Sequence, residues 1–180
     1  DEAYPPHLPH VFEPVWAVCN ELSHRGGFDY GFNISIESEI PPGAGLGSSA
    51  AVSVATTAAV GACLDLKLSK DEISNIAYKA EKIVHGTPSG IDNTIATYGG
   101  AILFKRGDIK QIQITSKIPL VIGDTGIERN TADWVRRVRL RRERQMAVMT
   151  SIISSIGILV NEGIKLLNRN DLPALGAVSY

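Results

Sequence analysis

A mixed α and β chain is predicted here from three observations. Residues 28–40 set Phe28, Tyr30, Phe32, Ile34 and Ile36 against Asp29, Gly31, Asn33, Ser35 and Glu37, the period of two of a half-buried strand. Residues 100–104 and 109–114 form two more strand-like runs around Lys105-Arg106-Gly107-Asp108, a hairpin pattern. Between and beyond these lie long stretches whose apolar residues recur at helical spacing.

In order, residues 1–9 are rich in proline and read as an irregular lead-in. Residues 11–24 place Val11, Val15, Trp16, Val18, Cys19 and Leu22 at helical intervals, with Pro14 in the first turn and Arg25-Gly26-Gly27 as a stop. After the first strand, residues 49–66 are Ala-, Val- and Thr-rich with almost no charge, a helix expected to be buried over most of its surface. Ser69-Lys70-Asp71-Glu72 is a capping box, in which hydroxyl and carboxylate each satisfy an amide of the first turn. The helix it opens carries Ile73, Ile76, Ala77, Ala80, Ile83 and Val84 on one face and is stopped by Gly86 and Pro88. Residues 119–122 read as a strand, 132–144 as a helix, 145–168 as a long helix with a broad buried face, and 170–175 as a turn into another helix.

The totals exclude some classes of function. A net charge of −1 gives no general affinity for nucleic acid or membrane. Arg136, Arg137, Arg139, Arg141, Arg142 and Arg144 are the local exception, read as a solvated helix face. Cys19 and Cys63 lack metal-ligand spacing and sit among apolar neighbours, as core thiols of a reducing, cytoplasmic compartment do. Apolar runs are broken before reaching the length that spans a bilayer.

The chemistry centres on Pro41-Pro42-Gly43-Ala44-Gly45-Leu46-Gly47-Ser48-Ser49-Ala50-Ala51. Alternate glycines let the backbone bend sharply and approach a ligand, and a helix start offers unpaired amides to an anion. The phosphate cradle has a plain alternative, a tight connection with Ser48 or Ser49 as helix cap. Neither the P-loop lysine nor the G-x-G-x-x-G spacing is present. Downstream, Glu81 lies near a helix end and Asp92 follows the loop His85-Gly86-Thr87-Pro88-Ser89-Gly90. One fold could bring both carboxylates to a single cavity. Glu81 as an exposed helix residue, Asp92 as a cap and His85 as a satisfied helix-end imidazole are the neutral readings.

The glycine loop resembles the second motif of the GHMP kinases. Within that superfamily, residues 85–93 followed by Thr97-Tyr98-Gly99-Gly100, and Asn130-Thr131 ahead of a valine- and arginine-bearing helix, are similar to segments of the mevalonate kinases. The resemblance implies an α+β GHMP-kinase fold in two parts. Residues 1–116 would be an incomplete N-terminal sheet-and-helix domain of the ribosomal protein S5 domain 2-like type, without its first strands. Residues 117–180 would begin a ferredoxin-like C-terminal domain. The family's first motif, which contributes a lysine, and its late glycine-rich motif have no counterpart, so the 180 residues are expected to be the middle of a larger enzyme.

The implied activity is ATP-dependent phosphorylation of the primary hydroxyl of (R)-mevalonate. Pro42, Gly43, Ala44, Gly45, Leu46, Gly47, Ser48 and Ser49 would bind the ATP phosphates, and Ser49 with Glu81 would bind Mg²⁺. Asp92 would be the catalytic carboxylate, and Ser89, Gly90, Asp92 and Thr131 would meet the substrate. The resemblance also implies a homodimer. Its rivals are a GHMP kinase for phosphomevalonate, homoserine or galactose, and a non-catalytic nucleotide-binding module.

Overall fold

The computed structural model describes residues 8–27, 31–41, 43–85, 88–105, 108–115, 117–123 and 131–179. The chain divides into two compact units, Asp1–Ile109 and Lys110–Tyr180.

The first unit is built on three mutually packed helices, α1 (Glu13–Gly26), α2 (Ser48–Cys63) and α3 (Lys70–His85). A short 3₁₀ turn, His10–Phe12, precedes α1. Pro14 fits the first turn of α1 because its missing N–H would have no helical partner there. Gly27 closes the helix in the left-handed region at φ 64°, its amide bonded to Ser23 O at 2.9 Å. The α3 capping box forms as expected. Ser69 N and Ser69 Oγ donate to Glu72 Oε2 at 2.8 and 2.7 Å, and Glu72 N donates to Ser69 Oγ at 3.3 Å. These bonds hold the Glu72 carboxyl below its usual range, the Ser69 amide contributing most.

The core joins Ala17, Val18 and Leu22 of α1 to Val60 of α2 and Ile76 and Ala80 of α3, flanked by Trp16, Cys19, Phe32, Leu64, Leu66 and Leu68. Small side chains let α2 approach its neighbours closely. At Gly61 a Cβ would meet Leu68 Cδ1 at 2.6 Å. Only one side of α2 is buried, through Ala50, Ser53, Thr56, Thr57, Val60 and Gly61, rather than most of its surface. Outside the core, Glu21 of α1 accepts from Lys79 of α3 at 2.7 Å and from Arg25 at 3.0 Å.

Helix α4 (Ile91–Tyr98) packs on both α2 and α3. It leads into strands β1 (Ala101–Lys105) and β2 (Asp108–Ile112), the predicted hairpin; these form a two-stranded sheet. Two other predicted strands do not form. Residues 31–40 run without a ladder partner among the described residues, Ile34 and Ile36 lie exposed, and Phe28 to Tyr30 fall outside the described residues. Residues 119–122 are likewise irregular, with Leu120, Val121 and Ile122 exposed. A strand needs a second strand alongside to satisfy its amides, and period-two patterning cannot supply one.

The second unit contains α5 (Thr131–Arg144), α6 (Met146–Arg169) and α7 (Leu172–Val178). Helix α5 packs on α6, and α6 on α7. The arginines of α5 are exposed, as a solvated face requires. Asp171 caps α7 by accepting from Ala174 N at 3.1 Å. The broad buried face expected of α6 is not observed. Leu166 is its one buried residue, while Ile152, Ile153, Ile156 and Leu159 are exposed. The expectation about bilayer length is also corrected: by length and composition alone, α6 is long and apolar enough to cross a membrane, because its serines, asparagine and glycines interrupt the apolar run without ending the helix. Cys63 is exposed rather than a core thiol, whereas burial raises the pKa of the half-buried Cys19; both are free.

Leu22 is fully buried at the junction of the three helices. Leu22→Ala should therefore lower unfolding free energy by about 2–5 kcal/mol, read by denaturant titration. A loss below about 1 kcal/mol would place the stabilising core elsewhere.

Candidate functional site

The glycine loop adopts the backbone that its sequence requires. Gly43, Gly45 and Gly47 have φ of 75°, 74° and 70°, values that residues with a Cβ seldom adopt. A Cβ at Gly45 or Gly47 would meet nothing within 4 Å, so these positions answer to backbone conformation and not to crowding. Pro42 lies outside the described residues.

Gly47 is the N-cap of α2 and no side chain caps the helix. The reading in which Ser48 or Ser49 caps it is thereby corrected: both serines lie inside the first turn, past the position from which a hydroxyl reaches back to the N2 or N3 amide. The amides of that turn have no intrahelical partner by geometry, and the dipole favours an anion beside them. Ser49 Oγ is buried without a hydrogen-bond partner, as is Ser53 Oγ one turn later.

Glu81 and Asp92 come from α3 and α4. Glu81 is 5% exposed, near the end of α3, and not the exposed helix residue of its neutral reading. Asp92 is exposed in the first turn of α4, whose N-cap is Gly90 at φ 87° with no side-chain cap. Asp92 is thus not a cap either. Burial, with the nearby Asp92 charge adding to it, pushes the Glu81 carboxyl up to about 7. The two carboxylates share one electrostatic environment, although α3 and α4 are separated by a loop.

Of the other expected substrate contacts, Ser89 is exposed and its Oγ accepts from Ile91 N at 3.2 Å. Gly90 is buried, with Tyr78 Cε2 at 3.4 Å and Phe104 Cζ at 3.7 Å from where a Cβ would stand. Thr131 opens α5, and its side chain, like that of His85, lies outside the described residues. The structure thus brings together Glu81, Asp92, Ser89 and Gly90 on adjoining elements, and α2, which follows the glycine loop, packs on both α3 and α4.

Sequence reasoning passed over Asn93 and Ser74. Asn93 Nδ2 donates to Ser74 O at 3.0 Å and to Ser74 Oγ at 2.9 Å, with both residues buried. The available signal was an asparagine inside a helix, where its side chain competes with backbone bonding and is unfavourable.

Residues present fit a divalent cation. A cation would satisfy the unpartnered Ser49 hydroxyl and favour the ionised form of Glu81, which burial now resists. No group of three or more His, Cys, Asp and Glu that could hold a metal occurs among the described residues.

Comparison with known proteins places these features in a family. Residues 12–100 match the GHMP kinases N terminal domain. The chain is 42% identical over 155 residues to a mevalonate kinase of Pyrococcus abyssi, covering 86% of this chain and 45% of that protein. It is 36% identical over 171 residues to one of Aeropyrum pernix, covering 93% of this chain and 52% of the relative. The chain thus spans about half the length of the relatives it matches. Among solved structures, the crystal structure of L. major mevalonate kinase in complex with R-mevalonate aligns with a TM-score of 0.72 and 27% identity, over 94% of this chain and 53% of that one. With its α+β fold and its left-handed glycine loop at a helix start, this chain carries a GHMP kinases N terminal domain over residues 12–100 and is similar over most of its length to mevalonate kinases.

Proposed function

We propose that the protein transfers the γ-phosphoryl group of ATP to the primary hydroxyl of (R)-mevalonate, giving 5-phosphomevalonate and ADP. The observation that carries this reading is the juxtaposition of buried Glu81 with exposed Asp92 on two helices that both pack on α2, the helix that begins uncapped at Gly47. The mevalonate kinases named above supply the acceptor. Residues 1–116 would be the family's N-terminal domain and 117–180 the opening of its C-terminal domain. Free Cys19 and Cys63 suit a cytoplasmic enzyme.

In this mechanism the loop amides from Gly45 to Ser49 would hold the triphosphate, and Pro42, Gly43 and Ala44 would complete the set of phosphate-binding residues. Ser49 and Glu81 would hold Mg²⁺, which would supply neutralisation of phosphate charge. Ser89 and Gly90 would flank the acceptor. Asp92 meets the acceptor hydroxyl and either takes its proton or orients it. The hydroxyl oxygen forms a bond to the γ-phosphorus, the bond from that phosphorus to the β,γ-bridging oxygen breaks, and ADP leaves. Orientation and electrostatic stabilisation supply most of the acceleration in this class of reaction.

A coupled ADP-release assay on the complete protein, offered mevalonate, phosphomevalonate, homoserine and galactose, tests the proposal. Mevalonate-dependent release supports it, preference for another acceptor moves the protein elsewhere among the GHMP kinases, and MgATP binding without acceptor-dependent release makes it a nucleotide-binding module. Asp92→Asn should lower kcat about 10²–10⁴-fold, and near-native turnover would remove Asp92 from the reaction. Glu81→Gln should raise the Mg²⁺ concentration needed for half-maximal rate, and an unchanged Mg²⁺ titration would contradict its metal role.

The same variant has a consequence without nucleotide or metal. Folded Glu81 keeps its proton to about 7, while the ordinary value is 4.5. Between those values the folded state binds more protons than the unfolded one, so stability is lost as pH rises through the window. Glu81→Gln should therefore unfold at a higher temperature than the parent at pH 8, with the gap closing toward pH 5. A pH-independent gap would mean that Glu81 is ionised throughout.

A further inference from the structure

The two acidic residues repel each other, so something else must seat α4 against α3. The α3 residues that do so are Asp71, Ser74 and Tyr78, and with Glu81 they recur at intervals of three and four, one stripe of a helix. The partners on α4 run in the opposite direction. The Tyr98 hydroxyl donates to Asp71 Oδ1, Asn93 Nδ2 bonds Ser74, and Gly90 lies against the Tyr78 ring. Asp92, next to Asn93, then lies near enough to Glu81, at the end of the stripe, for its charge to act there.

We propose that Asn93 is a positioning residue for the reaction, its carboxamide clamping α4 to Ser74 of α3 so that Asp92 is held at a set place relative to Glu81. This inference rests on the kinase reading above. The orientation of the amide is fixed by chemistry: Ser74 O can only accept, so the nitrogen must face it. Asn93 is 3% exposed and its Oδ1 is buried without a hydrogen-bond partner. An unpaired buried acceptor is costly, and an apolar pair of similar shape would avoid that cost. What the apolar pair would lack is direction, since hydrophobic contact does not select one register of α4 along α3. A shift of about 1 Å at a reacting group is enough to cost on the order of 100-fold in rate.

The test compares Asn93→Leu, Ser74→Ala, the double variant and Val18→Ala in the complete protein. Val18 lies in the core away from this stripe and serves as a control for lost stability. Assayed well below its unfolding temperature, Asn93→Leu should lose about 10- to 100-fold in kcat, with KM for ATP within about twofold of the parent. Ser74→Ala keeps the bond to the Ser74 carbonyl and should lose less. The double variant should resemble Asn93→Leu alone, because both changes remove one interaction. Val18→Ala should keep parental kcat. Hydrogen exchange of the Ile91–Tyr98 amides should quicken in the Asn93 and Ser74 variants and not in Val18→Ala.

Parental kcat in Asn93→Leu, a loss matched by Val18→Ala at equal stability, or additive losses in the double variant would each overturn the proposal. If Asn93→Leu does not fold, Ser74→Ala decides: lowered kcat with faster α4 exchange supports the clamp, and neither change refutes it. A parent without acceptor-dependent ADP release refutes the kinase reading instead, a result seen before any variant is made.

Discussion

Burial of one carboxylate beside another is the constraint on which the site depends. Glu81 is almost fully covered, and Asp92 adds a like charge to the cost of ionising it. A lone buried carboxylate avoids that cost by keeping its proton. Stability alone gives no reason for the pair, whereas a divalent cation held at Glu81 would reverse the sign of the local interaction. The three-helix core below, with Leu22 and Ile76 fully enclosed, supplies the rigidity that keeps the arrangement from relaxing.

The glycine loop follows the same logic by a different route. Gly43, Gly45 and Gly47 occupy left-handed conformations that only glycine adopts at little cost, and α2 begins with no side-chain cap. Capping by a serine would have satisfied an amide that is otherwise left for an anion. Helix α2 then continues in small residues, which allow close packing on α3 and α4. Local backbone chemistry and long-range packing thus converge on one helix start.

The second unit shows a different balance. Its helices form where the sequence places them, yet α6 leaves Ile152, Ile153 and Ile156 exposed and α5 is exposed along its described length. Helical period records which residues could share a buried face, and burial requires something to lie against that face.

Helices, their ends and the glycine loop were legible from the sequence because the interactions that make them are local. The Ser69–Glu72 capping box, Pro14 in the first turn of α1 and the stop at Gly27 each involve groups within four residues of one another. The hairpin of β1 and β2 was legible for the same reason. Residues 31–40 and 119–122 were misjudged because a ladder is a contact between distant segments, which alternation suggests and cannot guarantee. The sequence by itself determined which side chains the site could use, since Glu81, Asp92 and the serines of α2 are chemically suited to phosphate and metal wherever they lie. Only the tertiary structure decided that Glu81 is buried beside Asp92, that neither serine caps α2, and that Asn93 ties α4 to α3. Each of those depends on where one helix rests upon another, and packing of that kind is a property of the whole unit rather than of any single stretch.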